Sequence, residues 1–239
     1  MDIIILAAGR GTRLQPLTDT LPKPLIEIAG LSLIEVHLHR LAAVGMGRVI
    51  INLHHLGDLI RKKLGNGQRY GLQILYSEEA GEALETAGGI RHALNLINTE
   101  TFGVISADVL CDYPLERLAR IDLHKSLGHL VMVENPAHHP AGDFSLNRSG
   151  RLMARQQTPK MPTYTFSGLA CFKRSMFEPL RPGKHALRPV LEAAITEHEL
   201  AGELYPGLWS DIGTLERLNQ ARASAAVGAY IDSIKQSIS

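Results

Sequence analysis

An excess of charge of either sign is missing from this sequence. Its 239 residues hold 25 lysines and arginines against 24 aspartates and glutamates, a formal net charge of +1. No bulk basic field argues for nucleic acid, and no acidic tail is present. Any anion must therefore be held by a local cluster. Cysteine is scarce as well. Cys111 and Cys171 are the two; both sit in apolar surroundings without metal-site spacing, which predicts buried free thiols in a reducing compartment. No apolar run approaches the ~18 residues of a membrane span. The first residues, Met-Asp-Ile-Ile-Ile-Leu, lack a basic n-region, and their apolar run is too short for a signal peptide. A cytoplasmic protein is expected. Internal repeats, low-complexity segments and long linkers are absent, so residues 1–239 read as one domain.

The first half of the chain alternates between two periods. Asp2–Leu6 is a continuous apolar run and predicts a strand buried on both faces. Apolar residues at 34, 38, 41 and 42 predict a helix that Ser32 caps and Gly45 and Gly47 stop. Strands are expected at 48–53, 72–76 and 102–106, with helices at 57–64 and 86–97 between them. Strands alternating with helices predict a doubly wound, mostly parallel, Rossmann-like α/β sheet. From about residue 131 to 212 the pattern changes to short strand candidates (144–146, 151–154, 164–172) and a helix at 187–200, an α+β lobe joined to the nucleotide-binding half at about 1–130. A last helix is expected from about Thr214.

Ligands of such sheets lie beyond the carboxyl ends of the strands. The stretch LAAGRGTRLQPLTDTLPKPL, residues 6–25, follows the first strand directly. It matches only part of a dinucleotide fingerprint, because Leu14 replaces the third glycine, and no Walker A lysine follows. Its glycines allow the backbone to approach a ligand and aim N–H groups at phosphate oxygens. Arg13 offers a planar fork for paired oxygens. Lys23, set between Pro22 and Pro24, is a point charge on a backbone whose φ angles are fixed. The residues themselves point to a polyphosphate. The adjacent pairs His54-His55 and His138-His139 are poor zinc sites, since neighbouring side chains point apart.

L-A-A-G-x-G-T-R-L followed by P-K-P-L resembles the signature of the sugar-1-phosphate nucleotidyltransferases. Further elements are similar to that family in order: Glu85-Thr86-Ala87-Gly88-Gly89-Ile90, Ser106-Ala107-Asp108, Gly142-Asp143-Phe144, Thr165-Phe166-Ser167-Gly168 and Trp209-Ser210-Asp211-Ile212-Gly213-Thr214. The resemblance implies a GT-A-like nucleotidyltransferase fold with an acceptor-binding lobe. Its implied partners are a nucleoside triphosphate, UTP first, and a sugar 1-phosphate; Mg²⁺ is its implied cofactor. It implies nucleotide contacts at Ala7, Ala8, Gly9, Gly11, Thr12, Arg13, Lys23 and Gly88, with Arg13 and Lys23 catalytic. Asp108 and Asp211 would hold the metal, and Glu85, Asp143, Ser167 and Gly168 would meet the acceptor. Neither nucleic acid nor membrane is an implied partner, and a monomer is the default.

Within the family the stretch E-N-P-A-H-H-P-A-G-D-F resembles the branch that uses N-acetylmuramic acid α-1-phosphate in cell-wall sugar recycling. GTP with mannose 1-phosphate, or CTP with phosphocholine, would need the same phosphate machinery and stays open. Ser106-Ala107 stands where the family usually has Asn-Gly, so the contacts of that Asn are not carried over, whereas Asp108 is. That departure is also the one support for a different class, an inactive nucleotide-sugar-binding regulator; retention of Arg13, Lys23, Asp108 and Asp211 argues against it.

Overall fold

The computed structural model describes residues 1–155, 158 and 160–238. In chain order, β1 (Asp2–Leu6) leads through three 3-10 turns to a short hairpin, β2 (Glu27–Ile28) and β3 (Leu31–Ser32). Then come α1 (Leu33–Ala43), β4 (Arg48–Leu53), α2 (Gly57–Leu64), β5 (Gln73–Glu78), α3 (Glu85–Ala93) and β6 (Thr101–Ser106). The second half runs β7 (Val109–Cys111), α4 (Leu115–Ala119), β8 (Gly128–Val133), β9 (Phe144–Leu146), β10 (Leu152–Ala154) and β11 (Thr163–Lys173). It closes with α5 (Leu187–Thr196), β12 (Leu200–Leu204), β13 (Trp209–Asp211), α6 (Leu215–Ala223) and α7 (Ala225–Ile238).

β1 is central because nothing polar interrupts it. Ile3, Ile4 and Ile5 are all fully buried. Ile3 and Ile5 face the core under α1, whereas Ile4 faces the one under α3 and α5, as alternation along a strand requires. β6, β1, β4 and β5 are parallel neighbours. The next strand on the β6 side, β11, runs antiparallel to β6 and to β8. β9 and β10 extend that side, and β12 lies parallel to β8. The sheet is therefore parallel where helices cross over and antiparallel in the lobe, and one nine-stranded sheet runs through both.

Several boundaries differ from the sequence reading. The helix expected over 187–200 ends at Thr196; His198 turns left-handed (φ 57°) and Leu200 enters β12. The helix expected over 86–97 ends at Ala93 and tightens into a 3-10 turn. The expected last helix is two, α6 and α7, broken at Ser224, and α7 packs on α1. β8 was not expected. Its partners β11 and β12 come from distant sequence, so no local period announces them.

Candidate active site

The parallel strands β1, β4, β5 and β6 all end on one side of the sheet, and the chain leaving them builds a cleft in two compartments. The first is a cavity of about 420 Å³. Its walls come from residues 6–9 and 11–13, the Lys23–Pro24 turn, the ends of β4 and β5, and Ser106–Asp108 at the end of β6. The second, about 460 Å³, is walled by the β11 bulge, His138, His139, Trp209, Asp211 and Arg217. Leu6, Arg13, Thr86, Ser106 and Asp108 line both, so the compartments meet at these five residues.

The glycine loop is held by short-range contacts. Gly11 sits at φ +67°, and its carbonyl accepts the Thr18 hydroxyl at 2.8 Å. Leu14 is fully buried and anchors the turn from below. Arg13 stays exposed and makes no ion pair or hydrogen bond among the described residues. Lys23 opens a 3-10 turn between its prolines, and its ammonium is ion-paired with Asp108. The Lys23 side chain is only 11% exposed, so its position is fixed by the protein. A free fork and a fixed ammonium, beside a run of backbone that includes Gly9 and Gly11, suit a polyphosphate chain.

The other end of the first compartment has a polar chain that sequence reading missed. β1 stops pairing at Leu6, and the next amide, of Ala7, donates to Asn52 Oδ1 at 2.7 Å. Asn52 Nδ2 donates to Glu79 Oε1 at 2.7 Å, and Glu79 Oε2 accepts the Leu84 amide at 2.9 Å. The Ala7 N–H is thus already engaged by the protein. The one sequence signal was a polar residue closing an otherwise apolar strand, RVIINL.

Asp108 and Asp211 are brought together by pairing. β13 lies antiparallel to β7 with Asp211 opposite Val109, and the Ile212 amide donates to the Asp108 carbonyl at 2.8 Å. Asp211 pairs with Arg217 at 2.7 Å and with His138 at 3.1 Å. Two carboxylates facing one cavity fit Mg²⁺, which takes one or two protein carboxylates and completes its shell with water and substrate phosphate oxygens. No set of three candidate ligands occurs among the described residues, so a metal here would rest on those two and on substrate.

The expected acceptor residues divide. Gly168 has φ +86° at the β11 bulge, and a Cβ there would lie 2.8 Å from Ser106 Oγ. Ser167 and Gly168 line the second compartment. Ser167 is fully buried; its hydroxyl accepts the Leu169 amide at 3.1 Å and its carbonyl accepts Trp209 Nε1 at 2.9 Å. Asp143 lies behind the wall, accepting the Phe166 amide at 2.9 Å and paired with His139 and Arg188. Glu85 lines the first compartment with a left-handed backbone (φ +58°), paired with Lys184 at 3.5 Å. Gly88, expected at the nucleotide base, lines neither compartment. A Cβ on it would lie 2.3 Å from the Gly183 carbonyl, and its amide donates to the His185 carbonyl at 3.1 Å. Gly88 admits the 183–185 segment against α3.

Residues 2–227 match the nucleotidyl transferase family. A protein from Neisseria meningitidis serogroup B named N-acetylmuramate alpha-1-phosphate uridylyltransferase is 42% identical over 231 residues, 94% of this chain and 98% of that one. A protein of the same name from Caulobacter vibrioides is 29% identical over 93% of this chain and 96% of its own. Among solved structures, the inositol-1-phosphate CTP transferase from T. maritima superposes with a TM-score of 0.80, covering 100% of this chain and 97% of that one. At 18% identity that likeness is one of fold alone.

Proposed function

The chain belongs to the nucleotidyl transferase family, and we propose that it transfers UMP from UTP to N-acetylmuramic acid α-1-phosphate, releasing pyrophosphate. The observation that carries this reading is the 42% identity to a uridylyltransferase of that name across 98% of the relative's length. Two compartments that meet at Arg13 and Asp108 support this reading, in which the first would take the nucleotide and the second the sugar phosphate.

In this reading an oxygen of the sugar phosphate attacks the α-phosphorus in line. A new P–O bond forms there as the bond from the α-phosphorus to the bridging oxygen breaks, and that oxygen leaves on pyrophosphate. A phosphate monoester is already an anionic nucleophile, so the protein supplies orientation and positive charge rather than a base. The backbone at Ala8, Gly9, Gly11 and Thr12 carries the triphosphate. Arg13 holds the β- and γ-phosphates. Lys23 leaves Asp108 for the α-phosphate and the incoming phosphate. Asp108 and Asp211 hold Mg²⁺, which when bound neutralises charge on phosphate oxygens. Glu85, Ser167 and Gly168 border the acceptor, with Asp143 fixing the wall behind them. The reaction belongs to cell-wall sugar recycling in the cytoplasm; no helix among the described residues is long and apolar enough to cross a membrane.

Incubation with UTP, N-acetylmuramic acid α-1-phosphate and Mg²⁺, followed by mass spectrometry, tests the proposal. Equal amounts of UDP-N-acetylmuramic acid and pyrophosphate are expected. Recovery of both substrates unchanged, with nucleotide still bound, overturns it.

A further inference from the structure

The Ala7–Asn52–Glu79–Leu84 chain joins three segments that leave different strands. Asn52 stands opposite Leu6 in the parallel ladder, and the Glu79 amide continues the next ladder by donating to the Leu53 carbonyl at 2.8 Å. Asn52 is 3% and Glu79 7% exposed, yet both border the first compartment. Every direction in the chain is fixed by chemistry. The Ala7 N–H needs an acceptor, so Asn52 turns its oxygen there and its amide nitrogen to the carboxylate. Space is kept for the pair: a Cβ at Gly89 would lie 2.6 Å from Glu79 Oε1 and 2.9 Å from Asn52 Nδ2. Glu79 has no ion-pair partner among the described residues, so its placement rests on these hydrogen bonds. Its charge also disfavours phosphate at this end of the cleft, while Arg13 and Lys23 favour it at the other.

Taking the first compartment as the nucleotide side, which rests on the reading above, we propose that Asn52 and Glu79 are positioning residues for the nucleotide. They lock the main chain at the start of the glycine loop to the segment around Leu84, so that both lips of the base-and-ribose end form one body. Neither residue exchanges a proton or touches the reacting phosphorus. The relay acts on nucleotide affinity and leaves the acceptor compartment alone.

The test reverses the central hydrogen bond. N52D sets two carboxylates against each other. E79Q leaves one oxygen for two donors, so one donor faces another. N52D/E79Q satisfies every group again. The carboxylate now at position 52 accepts from the Ala7 amide and from the side-chain amide now at position 79, whose oxygen accepts from Leu84. UTP binding is read by titration calorimetry, the two KM values by pyrophosphate release, and folding by thermal melts. Each single variant should weaken UTP binding roughly 10-fold or more, as expected when a buried donor or acceptor loses its partner. The sugar-phosphate KM should change less than ~3-fold, and the double variant should return UTP binding to within ~3-fold of wild type. A double variant no better than the worse single, or unable to fold, overturns the relay, as do single variants that bind UTP normally. Wild-type UTP binding and product formation judge the nucleotidyltransferase reading itself, so the two failures are told apart.

Discussion

Lys23→Ala tests the division of labour at the junction of the two compartments. The Lys23 side chain is 11% exposed, and its ammonium is already aimed by its 3-10 turn and by Asp108. A positive charge ~4 Å from a phosphate oxygen contributes about 4 kcal/mol at an effective dielectric of ~20. Part of that is offset, because Lys23 must give up Asp108 to engage the ligand. The variant also leaves Asp108 without its cation, adding repulsion toward phosphate. A net cost of about 3 kcal/mol, on the order of 100-fold or more in kcat/KM, follows for a preorganised charge. Steady-state pyrophosphate release under saturating Mg²⁺ measures it, with a thermal melt to confirm folding. A loss under ~3-fold would remove Lys23 from the mechanism.

Three further outcomes are expected. Gly88→Ala should push the 183–185 segment off α3, costing about 2–3 kcal/mol as other overpacked cores do and lowering Tm by roughly 5–10 °C; an unchanged Tm with a raised UTP KM would assign Gly88 to the nucleotide instead. Asp211→Asn should shift the Mg²⁺ titration of activity to higher concentration, and an unmoved titration would count against the Asp108–Asp211 pair. His37 is fully buried and its ring nitrogens make no well-formed hydrogen bond among the described residues. Burial, with Arg40 adding to it and Asp108 and the Val109 backbone opposing, pushes its pKa down to about 3. Unfolding lets it take up a proton below its ordinary value near 6.5, so its contribution holds above pH 6.5 and is lost as pH falls toward 3, about 2 kcal/mol of it by pH 5. Urea midpoints at pH 7 and pH 5 should converge for His37→Leu relative to wild type; an equal drop in both proteins would refute this.

What the sequence disclosed follows the range of the forces involved. β1 was legible to the residue because an uninterrupted apolar run needs burial on both faces. The start of α1 was legible from Ser32, whose amide donates to the Glu35 carboxylate at 3.3 Å. The glycine loop and Lys23 could be read because proline and glycine restrict or free the backbone locally. β8 and β12 could not, since each owes its strand to a partner far along the chain. Asn52 and Glu79 were hidden for the same reason. A lone Asn ending an apolar strand has no evident purpose until β1 lies beside it and an amide is left over. At Gly88 the local pattern showed a glycine but not the segment, some ninety residues later, that fills the space.

The most direct measurement is pyrophosphate release across the four nucleoside triphosphates paired with N-acetylmuramic acid α-1-phosphate, mannose 1-phosphate and glucose 1-phosphate, with and without Mg²⁺. The highest kcat/KM is expected for UTP with N-acetylmuramic acid α-1-phosphate, dependent on Mg²⁺. Nucleotide binding with no pyrophosphate from any pair would contradict the account.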